Sequence, residues 1–241
     1  MRAEEYGILL ARETTHWWYR TLHARVVEVL RSGARSGDLL LDAGCGTGGS
    51  LLRAGAAVPG LRSLGVDLAP EALEACRARG VGPLVRSGVE RLPLRDASVD
   101  WVLSLDVLYH ANVTDDRAAL VEFARVTRPG GRLILNLPAF RWLAGRHDEA
   151  VQGVRRYTPR QVCLLLDRAG WSPVRVTCWN AVLLPWVWVV RRLRRGAGSD
   201  LPLGGRWADA FLAPLLGLER YCTRFITLPL GSSVFAIAVR R

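Results

Sequence analysis

The sequence predicts an α/β fold, a doubly wound and mostly parallel sheet, and three observations predict it. The apolar run Leu40-Leu41 meets Asp42 and then Ala43-Gly44-Cys45-Gly46-Thr47-Gly48-Gly49, followed at once by the helix-competent stretch Ser50 to Ala57. That order is buried strand, tight loop, helix N-terminus, with glycines that permit positive φ and close approach to the backbone. The next apolar run, Leu64-Gly65-Val66, ends in a second acid, Asp67, roughly 20 residues past the glycines, where a second strand end reaches a ribose diol. Beyond it, apolar runs alternate with helical stretches that proline and glycine open and close, the signature of βα units.

In chain order, residues 1–36 precede the first strand, and Tyr6 to Leu30 reads as largely helical, either an aromatic helix packed on the sheet edge or a lid over the ligand of the glycine loop. Within it lies Thr15-His16-Trp17-Trp18-Tyr19-Arg20. Aromatic faces attract a cation, and an arginine holds a carboxylate by two parallel bonds. Arg62 to Val66 forms the second strand. Pro70 to Arg79 forms a helix, opened by proline and stopped by Gly80. Gly82 to Arg86 is a short third strand, and Val99 to Leu105 the fourth. Asp115 to Thr127 carries helical apolar spacing at Leu120, Phe123, Ala124 and Val126. Arg128-Pro129-Gly130-Gly131 stops it and returns the chain into a fifth strand, Arg132 to Leu137. Pro159 to Ala169 is a helix capped by Thr158 and stopped by Gly170; Val174 to Cys178 is the sixth strand and Ser233 to Val239 the seventh.

Two ligands compete for the glycine loop. Gly44, Gly46 and Gly49 fit G-x-G-x-x-G, the dinucleotide fingerprint. Asp42 argues against it, because a pyrophosphate is repelled by a carboxylate at the mouth of its own loop. S-adenosylmethionine (SAM) carries a sulfonium and an ammonium instead, and an acid there is favourable. An NAD(P)-dependent oxidoreductase and a SAM-binding protein or cyclase without methyl transfer are the alternative readings.

Leu40 to Gly49 resembles the first motif of class I SAM-dependent methyltransferases, and Gly65-Val66-Asp67-Leu68-Ala69-Pro70 the second. Ser87 to Leu94 resembles the family's adenine loop, with Gly88 in place of its aspartate. The resemblance covers roughly residues 15–178 and the last strand. It implies a Rossmann-like, seven-stranded sheet with the last strand antiparallel beside the sixth. By that resemblance, Asp42 and the backbone of Gly44, Cys45, Gly46 and Gly48 hold the methionine part of SAM. Asp67 takes the ribose hydroxyls; Leu68, Val89 and Glu90 lie by the adenine; Leu105 joins them at the end of the fourth strand. A His-Trp-Trp-Phe/Tyr-x-Arg stretch is found before the first motif in a bacterial small-molecule subgroup, which makes Trp17 and Arg20 cofactor contacts, Arg20 on the methionine carboxylate.

Ligands bind at the C-terminal edge of such a sheet. That makes His110 and Tyr109, after the fourth strand, candidates for catalysis. Past the fifth strand, His147 beside Asp148 is a candidate oriented base. Arg155, Arg156, Tyr157 and Trp142 are candidate substrate contacts, the arginines for an anion or a carbonyl oxygen. A histidine that merely orders its loop, and arginines on a solvated face, are the competing readings.

The chain has 241 residues, half of them hydrophobic, which is enough for one large domain with an insertion. The divisions are a 1–36 lid, a 37–178 SAM-binding core, a 179–232 apolar helical insertion and the 233–239 strand. Its net charge is +11 and every basic residue is arginine, which excludes a Schiff-base lysine. The five cysteines show no zinc spacing, and no metal is expected. Met1 to Leu10 has no secretory pattern, so a cytoplasmic protein is expected. In the insertion, Ala181 to Val190 is apolar but too short for the roughly 20 residues of a bilayer crossing, and Arg191, Arg192, Arg194 and Arg195 follow it. Gly196 to Asp200 reads as a loop, and Ala208 to Arg224 as a second amphipathic helix. A lid over an apolar substrate, a dimer contact and a peripheral membrane contact are the readings for the insertion. The expected partner is a small, hydrophobic molecule with an anionic or carbonyl head; DNA is not expected.

Overall fold

The structure, a computed structural model, describes Gly7, residues 10–185 and residues 206–241. Residues 146, 147, 206–211 and 213 are described by backbone alone. The expectations for Val190, the four-arginine cluster and the Gly196 to Asp200 loop lie outside the described residues.

Seven strands form one sheet in the order β3-β2-β1-β4-β5-β7-β6: β1 Leu39–Ala43, β2 Arg62–Asp67, β3 Leu84–Arg86, β4 Val99–Leu105, β5 Thr127–Pro138, β6 Trp171–Trp179 and β7 Ser233–Arg240. The first five are parallel; β7 runs antiparallel between β5 and β6. Strand order reverses at β1, with Asp42 in register with Gly65 of β2 and Leu103 of β4, so a crevice opens at that edge.

The helices are α1 Trp17–Gly33, α2 Gly49–Ala57, α3 Pro70–Ala78, α4 Asp116–Val126, α5 Arg146–Ala150, α6 Pro159–Arg168 and α7 Arg206–Cys222. Side chains alternate across each strand, and both faces are covered, so the strands read as continuous apolar runs. Leu41, Val102, Leu133 and Leu135 pack with Phe123 of α4 and Leu166 of α6. Leu40, Trp101, Leu103 and Ile134 face the other way, against Val26 of α1 and Leu51 of α2. Asp115 caps α4, and Thr158 with Gln161 makes a capping box at α6.

Several elements differ in extent from the sequence reading, among them β6, which runs Trp171–Trp179 where Val174 to Cys178 is expected. The fifth strand starts earlier, because Thr127 pairs with Val99 before an irregular stretch, after which Arg132 pairs with Trp101. The N-terminal segment is not one helix: α1 begins at Trp17, after a turn. The His16 imidazole accepts the Trp18 N–H at 3.3 Å and so caps the new helix. The turn frees Glu13 to reach the glycine loop. In the insertion, the Glu219 carboxylate of α7 accepts the N–H groups of Asn180 (2.5 Å), Ala181 (2.8 Å) and Val182 (3.1 Å). Glu219 also pairs with the buried Arg25 of α1, which donates to Thr223 at 2.8 Å. The insertion is thereby tied to the N-terminal helix.

Candidate active site

The loop between β1 and α2 is wound tightly in the crevice. Val66 O accepts the N–H groups of Gly44 (2.8 Å) and Cys45 (2.9 Å), and Cys45 O accepts that of Gly48 (2.9 Å). Gly44 and Gly48 sit at φ +91° and +81°. A Cβ on Gly44 would also run into Val107, so both conformation and space require glycine there. Asp67 ties the two loops together: its carboxylate accepts Gly46 N–H and Ala69 N–H, each at 2.9 Å. Leu68, beside it, is an exposed apolar side chain, available as a wall for a base.

Asp42, 2% exposed, has its carboxyl pushed up to about 8 by burial first and by the Asp67 charge second. Both influences raise it, and among the described residues no cation offsets them. This crevice lacks positive charge, not negative. A sulfonium and an ammonium fit such a donor set, whereas a pyrophosphate meets two carboxylates.

The sequence reading missed Glu13, a buried carboxylate lodged against the same loop. It accepts the Thr47 hydroxyl at 2.7 Å, pairs with Arg79 and packs where a Cβ on Gly49 would stand. Trp17 is buried against Leu183 and Leu216. Arg20 is exposed and lines an open groove of about 740 Å³ with His23, Arg53 and Arg220.

At the end of β4 the chain turns through Asp106 at φ +54°. Its two carboxylate oxygens accept the Asn136 amide at 3.1 and 3.0 Å. The Asn136 carbonyl accepts Trp179 Nε1–H at 2.8 Å, which settles the amide orientation. The Trp179 ring lies 5.5 Å from that of Trp18 and 5.2 Å from the Arg25 guanidinium. Burial pushes the Asp106 carboxyl up to about 7, although Asn136 and Arg156 pull it down. The sequence reading did not single out Asp106, and Asn136 and Trp179 become its partners only through the sheet.

His110 Nδ1 lies 2.7 Å from Val151 O. A carbonyl partner requires the proton on Nδ1 and makes Nε2 the basic nitrogen. Tyr109 is buried and stacks on His110 at 4.3 Å; burial raises its phenol well above the usual value. Glu90 accepts the Thr114 hydroxyl (2.7 Å) and Asp115 N–H (2.8 Å), and Val89 is buried beside it in sequence.

The candidate substrate residues are engaged within the chain. Arg155 donates to the carbonyls of Leu108 (3.3 Å), Val113 (2.8 Å) and Thr114 (2.8 Å). Arg156 grips Asp148 through Nε and Nη2 and donates to Ala139 O at 2.8 Å. Tyr157 donates to Asp116 at 2.8 Å. These bonds hold the loops after β4 and β5 together. Trp142 is 53% exposed and stacks on Phe140. His147 lies in α5, with its side chain outside the described residues; its neighbour Asp148 is taken by Arg156 and by Gly145 N–H at 2.7 Å.

Residues 41–135 match the methyltransferase domain family. The chain is 40% identical over 103 residues to malonyl-(acyl-carrier protein) O-methyltransferase of Serratia marcescens, covering 42% of this chain and 38% of that protein. It is 31% identical over 125 residues to tRNA (carboxymethyluridine(34)-5-O)-methyltransferase of Arabidopsis thaliana, 52% of this chain and 28% of that one. Each match thus spans less than half the relative's length. Among solved structures, geranyl diphosphate C-methyltransferase from Streptomyces coelicolor, with geranyl diphosphate and S-adenosyl-L-homocysteine, aligns at TM-score 0.59. That alignment covers 90% of this chain and 77% of that one, at 17% identity. With a matching domain over the glycine loop and most of the span from β1 to β5, the seven-strand order, and a crevice whose charge suits SAM, residues 41–135 carry a SAM-dependent methyltransferase domain on a class I, Rossmann-like sheet.

Proposed function

We propose that the protein transfers a methyl group from SAM to an oxygen, nitrogen or carbon of a small, hydrophobic metabolite with an anionic or carbonyl head. The observation that carries this reading is the buried Asp42 carboxyl beside Asp67, with burial and like charge both raising it. A cationic cofactor relieves that arrangement, and a dinucleotide aggravates it. When bound, SAM supplies an electrophilic methyl group to a nucleophile aligned with the departing sulfur. Asp42 and the backbone of Gly44 to Gly48 orient the methionine part, Asp67 takes the ribose diol, and Leu68 and Val89 flank the adenine. Arg20 and Trp17 close the lid.

A hydroxyl or acidic-carbon acceptor must lose a proton. The β4 edge supplies two acceptors for it, His110 through Nε2 and Asp106, whose carboxyl stands at about 7. Tyr109 keeps the His110 ring in place, and His147 serves an acceptor that reaches α5. The substrate class is supported by the apolar side chains of Leu183 and Leu216 in the 179–232 insertion, packed against Trp17 of α1, and by a relative named for malonyl-(acyl-carrier protein), an acyl group with an anionic head. The tRNA-methylating relative and the +11 charge favour RNA as the second reading.

The test is methyl-labelled SAM with a cell extract, separated into organic, aqueous and macromolecular fractions. Label in the organic fraction is the expected result. Label in RNA overturns the substrate class. SAM binding with no label transferred, under a full set of acylated and prenylated acceptors, overturns the transfer itself.

A further inference from the structure

The helix α7 has two apolar faces. One is in the core: Leu216 is fully buried, and Glu219 and Thr223 beside it hold Arg25 of α1. The other looks outward. Leu215, Leu218 and Tyr221 recur at three-residue steps, so they share one side of the helix; Phe225, in the turn just past it, lies against Tyr221 at 5.6 Å, and the four are 38%, 60%, 56% and 74% exposed. The stretch after α7 extends this surface, with Ile226 and Leu230 half exposed. It is fixed along the outer strand β6, since Arg175 donates to the carbonyls of Arg224 (2.6 Å) and Ile226 (3.0 Å) and Leu228 bridges Cys178. A contiguous outward apolar face of this kind marks an interaction site.

The flank of the same helix is basic. Arg220 and Arg224 border the 740 Å³ groove that runs between α7, α1 and α2, with Arg31 and Arg53 on its other walls. The groove's one acid, Glu28, is taken by Arg224. His23 on its floor is 5% exposed, and its Nδ1 has no hydrogen-bond partner among the described residues. Burial and the Arg53 charge hold that imidazole down at about 4, so it is neutral.

We propose that the outward face of α7, with its arginine flank, docks the protein on an anionic phospholipid surface. The apolar and aromatic side chains enter the acyl boundary to roughly 5–10 Å while the arginines meet headgroup phosphates. Charge selects this occupant. A second copy would bring +11 against +11. A nucleic acid would satisfy the arginines and leave Leu215, Leu218 and Ile226 uncovered. Among the described residues no helix is long and apolar enough to cross a membrane, so the contact is peripheral. The inference does not depend on which acceptor is methylated.

The test is co-sedimentation of the full chain with phosphatidylglycerol–phosphatidylcholine vesicles and with phosphatidylcholine alone. Binding to the anionic vesicles only, weakened by salt, is expected. Leu218→Ser with Phe225→Ser should reduce it by at least roughly tenfold, and Arg53→Gln and Arg220→Gln by roughly fivefold each, with the thermal melt and SAM binding unchanged. The two pairs touch different chemistry, so a folding defect in one leaves the other to decide. No sedimentation, or sedimentation that neither pair alters, overturns the proposal. So does a dimer that Leu218→Ser with Phe225→Ser dissolves, or RNA binding lost in the arginine variants while vesicle binding persists.

Discussion

At the residue scale a few groups are held against their ordinary chemistry. Asp42 is the clearest. Its carboxyl stands at about 8 in the fold against 3.8 for the free side chain. A carboxyl raised by folding binds its proton more tightly in the native state, so native stability falls as pH rises from about 4 and the full penalty is present above about 8. Asp42→Asn removes that penalty. We expect its apo form to melt higher than wild type near pH 7.5, with the gap closing toward pH 4, and its SAM affinity to fall by roughly ten- to a hundredfold; calorimetry and titration check the two halves. Gly44→Ala should do the opposite to stability. It combines a positive φ with a collision at Val107, and a loss of about 1–3 kcal/mol is expected in a urea melt. Asp106→Asn tests the proton acceptor: turnover should drop roughly 10²- to 10⁴-fold with little change in SAM affinity. An unchanged rate would leave His110 as the acceptor, or mean an acceptor already ionised.

At the scale of elements, the N-terminal segment is tied to the glycine loop. Glu13 reaches from the turn before α1 to Thr47 and Arg79 on either side of the glycine loop, and Trp18 of α1 lies against Trp179, which orders Asn136 and through it Asp106. Glu13→Gln keeps the shape but weakens the pair with Arg79. Faster SAM release by stopped flow is expected, with the sheet's own stability little changed; an unaltered release rate would mean that this tie does not control the crevice. These contacts were not legible in the sequence. The strands, most helix ends and the two acids on the cofactor loops were, because each follows from local apolar runs, caps and glycines. Thr158 announced its cap, and Asp42 and Asp67 stand near and at the strand ends where the apolar runs place them. Glu13, Asn136 and Trp179 lie about 34, 30 and 43 residues from the groups they serve, so only tertiary packing joins them. Arg155, Arg156 and Tyr157 show the converse. Their chemistry was visible, but the carbonyls and carboxylates that engage them within the chain were not.

At the scale of the whole molecule, a seven-stranded sheet sets a cation-seeking crevice at the point where strand order reverses, and two later additions bear on it. The N-terminal segment reaches the glycine loop through Glu13, and the insertion is tied to α1 through Arg25 and Glu219. The glycine-loop crevice, the N-terminal helix and the outward apolar face are therefore parts of one packed unit. The most direct measurement is the SAM dissociation constant as a function of pH, in wild type and in Asp42→Asn. The account predicts that wild-type affinity tightens by up to roughly tenfold per unit from about pH 6 to about pH 7.5, as the carboxyl is ionised in favour of the bound cation, and that the Asn variant binds weakly with a flat profile. Equal affinity of the two proteins across that range, or a wild type that binds NAD(P) more tightly than SAM, would contradict it.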